Sequence, residues 1–437
     1  VEVLFDQPVI PAVPYIIFSI AIAASFMLVL RSIGLPVDWR GALSFTLVSG
    51  FPAHWLLLSF ASNVVPVAVG LFAASYSLWL YTCVLMKTRP SRQGSIWRYW
   101  LVIAAIISLL AISLGTYQSV ALLFLMGLLA RNLVEARDNR ALLGFVGAGV
   151  AIFLTAILAW WLLDRVFLYL FDLSENFVER YFGLTEFLTA PIGASRLALT
   201  VIVENYAVDS DIYGRPASIA LPLLTILIIT VLYRNRRRFF STAISIVSLL
   251  LVPFAFHFIN GPYGLPVRSL VVIGFTFGIL LAVALQGVLN YWKIGIVILS
   301  ALLYVQLLQI TGEYAAEERL TSDYDSRLAA EIYYRLDSCG HPSEAGTKQL
   351  AVYGYRDFST IFATAQGSTT SGSFFEWDMG NPRRMNLYMQ VLGYSDIEMI
   401  PPENIVDGAK LFADMPVFPS AGSVLCDRGV NLVKLSG

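Results

Sequence analysis

The chain has 437 residues, 57% of them hydrophobic and 14% charged, with a formal net charge of −1 and a mean hydropathy of +0.70. Soluble domains run about 45–50% apolar and about 25% charged, so the composition excludes a soluble globular enzyme and points to an integral membrane protein. No Lys/Arg run is long enough to suggest nucleic acid as a partner.

Ten apolar segments follow in order, at about 9–30, 41–62, 64–86, 97–114, 117–133, 141–163, 216–232, 239–258, 269–289 and 294–310. Several approach the minimum span of about 17 residues. The loops on one side, 31–40, 87–98, 131–140, 233–238 and 290–293, hold fourteen Lys/Arg and three acids. The opposite side of residues 1–310 holds five arginines (Arg165, Arg180, Arg196, Arg215 and Arg268) and ten acids. By the positive-inside rule the cationic side is cytoplasmic and both ends of the chain lie outside. An outside N-terminus with no signal peptide leads to the expectation of a further helix upstream, hence eleven spans in the intact protein, with Val1–Pro8 as the tail of its first outer loop.

The stretch Ile96–Val134 organises the rest. About forty apolar residues in one helix would reach about 60 Å, twice the hydrocarbon thickness, so the stretch is expected to fold back at Ser113-Leu114-Gly115-Thr116-Tyr117-Gln118-Ser119. Arginines at both of its ends put Tyr117-Gln118 at the outer face, the expected working face. Asp164–Arg215 is too charged to span but keeps apolar residues at helical spacing, which predicts amphipathic helices on the outer membrane surface at about 164–215. Residues 311–437 read as a soluble mixed α/β domain. Its expected elements are a helix over Ser322–Asp337, a strand over Gln349–Tyr353, helices over Asn386–Leu392 and Val406–Asp414, and a hairpin of Ser423–Cys426 with Val430–Leu435. Of three cysteines, Cys83 lies in an apolar segment; Cys339 and Cys426 either pair, if that domain is outside, or stay two buried thiols.

The sequence carries no phosphate-cradling Gly loop, HExxH, Cys-x-x-Cys or G-x-S-x-G. What remains is polarity at membrane depth or at its outer boundary, where it is costly. His54, in Phe51-Pro52-Ala53-His54-Trp55, is either bonded inside the bundle or catalytic. Tyr117 and Gln118 either satisfy the turn or bind a polar ligand. His257, Asn260 and Arg268 bracket a tight outer loop, Gly261–Pro266, and Arg268 is the better candidate for a lipid phosphate, with Arg165 and Arg196 as others. Deprotonating a sugar hydroxyl needs a positioned carboxylate, and Asp6 heads the candidates because it sits in the first outer loop. In the C-terminal region, Ser373–Asp378 with Arg383 and Arg384 mixes aromatics and charge, as either a carbohydrate-facing surface or the edge of a core.

The order of spans, the SLGTYQS break, the Phe-Pro opening of the second span, GSFFEWD…RRMNLYMQVLGY and the closing FPSAGSV…VNLVKL together resemble the serotype-converting O-antigen glucosyltransferases of bacteria and their phages. The resemblance implies a GT-C type fold: a polytopic α-helical bundle over residues 1–310, with outer interfacial helices and a small periplasmic α/β domain over 311–437. It implies an enzyme of the bacterial inner membrane that takes a sugar, glucose by the family, from polyprenyl phosphate and transfers it to O-antigen or lipopolysaccharide glycan outside that membrane. Members of this fold class carry a catalytic acid in the first outer loop, of which Asp6 is the remnant here. The leaving phosphate would be stabilised by arginine or by a divalent cation such as Mg or Mn. The rival readings are an O-antigen ligase or polymerase, which handles a pyrophosphate-linked oligosaccharide, and a lipid-linked sugar transporter or flippase. The transporter would be expected to show internal repeats and intramembrane charge pairs, which residues 1–310 lack.

Overall fold

The computed structural model describes residues 12–58, 61–87, 96–135, 139–172, 189–256, 267–286, 289–338, 347–356, 358, 372–400, 408–427 and 430–436. The chain forms two compact units, one from Ile10 to Thr311 and one that takes up the chain from Gly312.

The first unit is helical. Its elements are α1 (Ala12–Ser32), α2 (Trp39–Ser49), α3 (Pro52–Leu58), α4 (Ala61–Trp79) continued by a π-helical turn (Leu80–Val84), α5 (Ile96–Thr116), a 3₁₀ turn (Gln118–Ala121) leading into α6 (Leu122–Val134), and α7 (Asn139–Phe171). Then come α8 (Pro191–Ala207), α9 (Ser210–Tyr213), α10 (Ala220–Arg234), α11 (Phe239–Leu251), a 3₁₀ turn (Val267–Leu270), α12 (Ile273–Ala284) and α13 (Asn290–Asp337). Among the described residues seven helices are long and apolar enough to cross a membrane, or eight if the bent pair α2 and α3 is one span. Ten spans were expected. The remaining two apolar segments form Gln118–Val134 and Ala220–Arg234, helices of 10–17 residues, shorter than the ~20 residues that cover a ~30 Å hydrocarbon core.

Local chemistry sets several boundaries. Asp38 caps α2, its carboxylate accepting from the Arg40 and Gly41 backbone N–H groups. The 56° bend between α2 and α3 falls where Pro52 cannot continue the hydrogen-bond ladder and disfavours helix in the residue before it. Pro191 opens α8 from the first helical position, where its missing N–H costs nothing, and Arg196 lies within that helix. Surface helices were expected to begin near Asp164; instead α7 runs unbroken to Phe171. No Pro or Gly intervenes there, and Asp172 ends it in a left-handed conformation (φ 50°).

Packing in this unit is close where residues are small. α1 lies on α4, α4 on α5 and α6, α5 on α7, and α12 on α2. Every residue of α12 is buried. Gly274 and Gly278 make its seat on α2: a Cβ on Gly278 would lie 2.4 Å from Val48 Cγ2 and 3.0 Å from the Ser44 carbonyl oxygen, and one on Gly274 3.1 Å from the Val48 carbonyl. Two helix backbones can approach this closely only when no side chain stands between them.

At one end of the bundle cationic helix ends are tied together. Arg131 Nη1 donates to the carbonyls of Ser32 (2.9 Å) and Thr82 (3.2 Å), and Nη2 pairs with Glu135. Arg234 donates to the Val283 carbonyl at 3.0 Å and Asn235 to the Leu133 carbonyl at 3.3 Å. The Thr82 carbonyl belongs to the π turn, which bonds five residues back rather than four.

The second unit holds a four-stranded sheet of β1 (Lys348–Tyr353), β2 (Ile397–Met399), β3 (Val424–Asp427) and β4 (Val430–Lys434), in the order β2-β1-β4-β3. β1 is parallel to both neighbours, and β3 and β4 are antiparallel, as the hairpin reading expected. Three short helices, α14 (Trp377–Gly380), α15 (Pro382–Val391) and α16 (Gly408–Asp414), accompany it. The core joins Leu328, Ile332 and Leu336 of α13 to Leu350, Val352, Phe375, Met385, Met389 and Val433. The helix expected over Ser322–Asp337 is the end of the 48-residue α13 rather than a separate element. Cys426 is disulfide-bonded, with its partner outside the described residues, and Cys83 is free.

Ser373 and Phe375 are buried, Phe375 within this core, while Phe374, Glu376 and Trp377 are half-buried at its edge. Asp325, itself buried, accepts from Ser373 Oγ (2.5 Å) and from the Phe374 N–H (2.7 Å). Burial pushes its carboxyl up to about 6 against the pull of those two bonds. Lys348 is tied to Asp337 (2.9 Å), Asp396 (3.1 Å) and the Tyr333 hydroxyl (3.2 Å). Although burial opposes it, these partners hold the ammonium above its usual range, and Asp396 in turn is held below its own.

Candidate functional site

The break in the central stretch is one extended residue. Tyr117 (φ −161°, ψ 104°) separates α5 from the 3₁₀ turn that opens at Gln118. The backbone groups it frees are met locally: Tyr117 N–H donates to Ser113 O at 3.0 Å and Val120 N–H to Tyr117 O at 3.1 Å. Ser113 Oγ reaches across to the Gly70 carbonyl of α4 at 2.9 Å. Gly70 lets the break settle there, since a Cβ on it would meet Thr116 Oγ1 at 2.4 Å and Val120 Cγ2 at 2.9 Å. The N–H and carbonyl of Tyr117 thus have backbone partners, and the side chains of Tyr117 and Gln118 are both half-buried.

The charge of Arg268, far along the chain, is felt at the break. The residue sits half-buried in the Val267–Leu270 turn, which packs on α3, and its positive charge acts on the Tyr117 hydroxyl. An aromatic hydroxyl and an amide thus stand side by side at the break, with the charge of a guanidinium felt at the hydroxyl. That set is suited to a ligand with both hydroxyls and an anionic group, because guanidinium binds phosphate through paired donors and amide and phenol serve hydroxyls.

The other sequence candidates are placed differently. His54 in α3 is buried, edge-on to Phe18 (5.9 Å between ring centroids). Its imidazole lies against the Val48 and Val271 backbone, without a hydrogen bond of good geometry. Gly274 makes room for it, a Cβ there coming within 3.4 Å of the ring. Arg165 stacks over Trp161 at 5.4 Å on the exposed side of α7, and Arg196 is exposed on α8. Asp6, His257 and Asn260 lie outside the described residues. No group of three His, Cys, Asp or Glu that could hold a metal occurs among the described residues. Sequence reasoning missed Gly70 and Ser113 as the seat of the break; a glycine in an apolar segment signals close backbone approach, but not to which helix.

Fold and site together define a helical protein with apolar helices of membrane-crossing length and a polar cluster at the break between two of them. The model of a family described as "Glucosyl transferase GtrII" matches residues 1–285, and the chain belongs to that family. It is therefore a glucosyltransferase by family. The match covers the break and Arg268 and ends before α13. No curated protein and no solved structure matches the chain.

Proposed function

We propose that this protein moves glucose from a polyprenyl phosphate to a growing surface polysaccharide, O-antigen or lipopolysaccharide glycan, on the periplasmic side of the bacterial inner membrane, as a GT-C type enzyme. The observation that carries the reading is the polar break at Tyr117-Gln118 between two apolar helices, within reach of the positive charge of Arg268. The prenyl chain stays in lipid, its phosphate meets Arg268, and the sugar projects to Tyr117 and Gln118. The acceptor oxygen then bonds to the anomeric carbon as the bond from that carbon to the phosphate oxygen breaks. Phosphate departs with the electron pair, and the acceptor proton passes to a carboxylate, for which Asp6 is the candidate. His54, walled in, packs against the Val271 backbone next to the turn that carries Arg268. The gathering of Arg131, Arg234 and Asn235 at one end of the bundle supports a cytoplasmic face formed by the cationic loops.

The test is reconstitution of the full chain with polyprenyl-phosphate glucose and lipopolysaccharide, followed by mass analysis of the glycan. A gain of one hexose is expected, and Gln118→Ala is expected to lose most of it while the protein stays folded. No hexose gain from any polyprenyl-phosphate sugar would overturn the reading.

A further inference from the structure

The second unit leaves one face of α15 uncovered. Along that helix Met385 and Met389 point into the core, while Arg383, Leu387 and Val391, spaced four apart and so on one stripe, point out. Leu387 is 53% exposed and Val391 78%. Met379, just before the helix, is 83% exposed. It holds a left-handed backbone (φ 55°) that a large side chain rarely adopts. Trp377 adjoins them with Arg384 stacked over its ring at 5.4 Å. Helix and cap are otherwise well made: Asn381 caps α15 through the Arg383 N–H (3.0 Å), and Pro382 opens it. The sequence thus spends a stable helix on displaying aliphatic side chains beside arginine.

We propose that this face lies on the surface of an anionic bilayer, with Met379, Leu387 and Val391 entering the headgroup–acyl boundary and Arg383 pairing with lipid phosphate. Three observations commit it to lipid. The exposed residues are aliphatic with basic neighbours, the combination that interfacial helices use. Arginine complements the phosphate of an anionic leaflet and gains from its surface potential. The chain also holds helices of membrane-crossing length, α13 among them, and α13 itself supplies part of this unit's core. The unit is thereby tethered to a helix of membrane-crossing length, which raises the effective concentration of bilayer around it. The inference does not depend on the glucosyl donor proposed above, only on the chain residing in a membrane.

Hydrogen exchange of the 379–393 segment tests it, with single full-length chains in nanodiscs of neutral lipid or of neutral lipid mixed with anionic phosphatidylglycerol. Exchange about fivefold slower in the anionic discs is expected, the gain of one arginine at a charged surface. Arg383→Glu should abolish the difference between the two lipids, and Leu387→Asp should speed exchange in both. Each replaces an exposed side chain, and exchange in β1 and β4 should stay unchanged as the control for folding. Equal exchange in both lipids, or protection that survives Arg383→Glu, would overturn the proposal. Protection gained in neutral discs on adding soluble glycan would assign the face to carbohydrate instead. Protection in detergent that grows with protein concentration would assign it to a second copy.

Discussion

Replacing Gly278 by alanine isolates the packing that seats α12. The new methyl would stand 2.4 Å from Val48 Cγ2, 3.0 Å from the Ser44 carbonyl oxygen and 3.1 Å from Phe26 Cε2. Val48 is fully buried and β-branched, so its side chain has little room to turn away. The Ser44 oxygen is backbone and can move only with α2. The helices must therefore separate by several tenths of an ångström, and overpacking of this kind costs about 1–3 kcal/mol. Against it stands the gain of alanine over glycine in a helix, about 1 kcal/mol at most. Gly295 provides the control, since nothing lies within 4 Å of a Cβ built there. Gly295→Ala should thus stabilise by up to about 1 kcal/mol while Gly278→Ala destabilises by about 1–2 kcal/mol. Reversible unfolding of the full chain in mixed micelles by increasing anionic detergent reads both. If Gly278→Ala proves as stabilising as Gly295→Ala, α12 is not held against α2 by the absence of a side chain, and the reasoning fails.

Arg131→Leu should cost about 2–3 kcal/mol in the same assay, the range for hydrogen bonds to a charged group, because it removes the donors to Ser32 and Thr82. Asp325 gives a pH dependence of definite sign. Its folded value of about 6 lies above the unfolded 3.8, so its contribution to stability is fully present below pH ~4 and is lost as pH rises through ~6. Asp325→Asn should flatten that slope in thermal unfolding of the full chain between pH 4 and 7, and an unchanged slope would contradict the assignment. At the helix break, Arg268→Ala should lower glucosyl transfer about 10–100-fold, as expected for a lost charged hydrogen bond. Arg268→Lys should recover part of it, and the check is the initial rate of hexose addition.

The apolar segments could be read from sequence because a run of some twenty apolar residues has few other uses. Their lengths could not be read as surely: Ala220–Arg234 ends at a basic cluster whose charge delimits it, short of a full span. In α13 the change from apolar to charged residues near Thr311 reads as a domain boundary, yet Glu, Ala, Arg and Leu sustain a helix across it. The same reasoning misplaced Asp164, where polarity suggested a new element and the backbone had no cause to break. β2, at three residues, is too short for any alternation to show. Of the site, Tyr117-Gln118 stood out because a polar pair interrupts an apolar run. That the charge of Arg268 reaches Tyr117 is a tertiary matter that spacing cannot encode. Gly274 and Gly278 are visible as a four-residue repeat in an apolar segment, but their partner, α2, is named only by the fold.

The π-helical turn at the end of α4 has a consequence for how this chain tolerates insertions and deletions. Its five residues, Leu80–Val84, occupy the height at which an ordinary turn would hold one fewer, and that surplus aims the Thr82 carbonyl sideways at Arg131. Deleting one of them would rewind the turn to regular pitch with the helix on either side kept in place, and would take the Thr82 carbonyl away from the guanidinium, leaving it the Ser32 carbonyl and Glu135. At this point the number of residues matters more than their identity. Homologous chains should vary in composition here far more freely than in length.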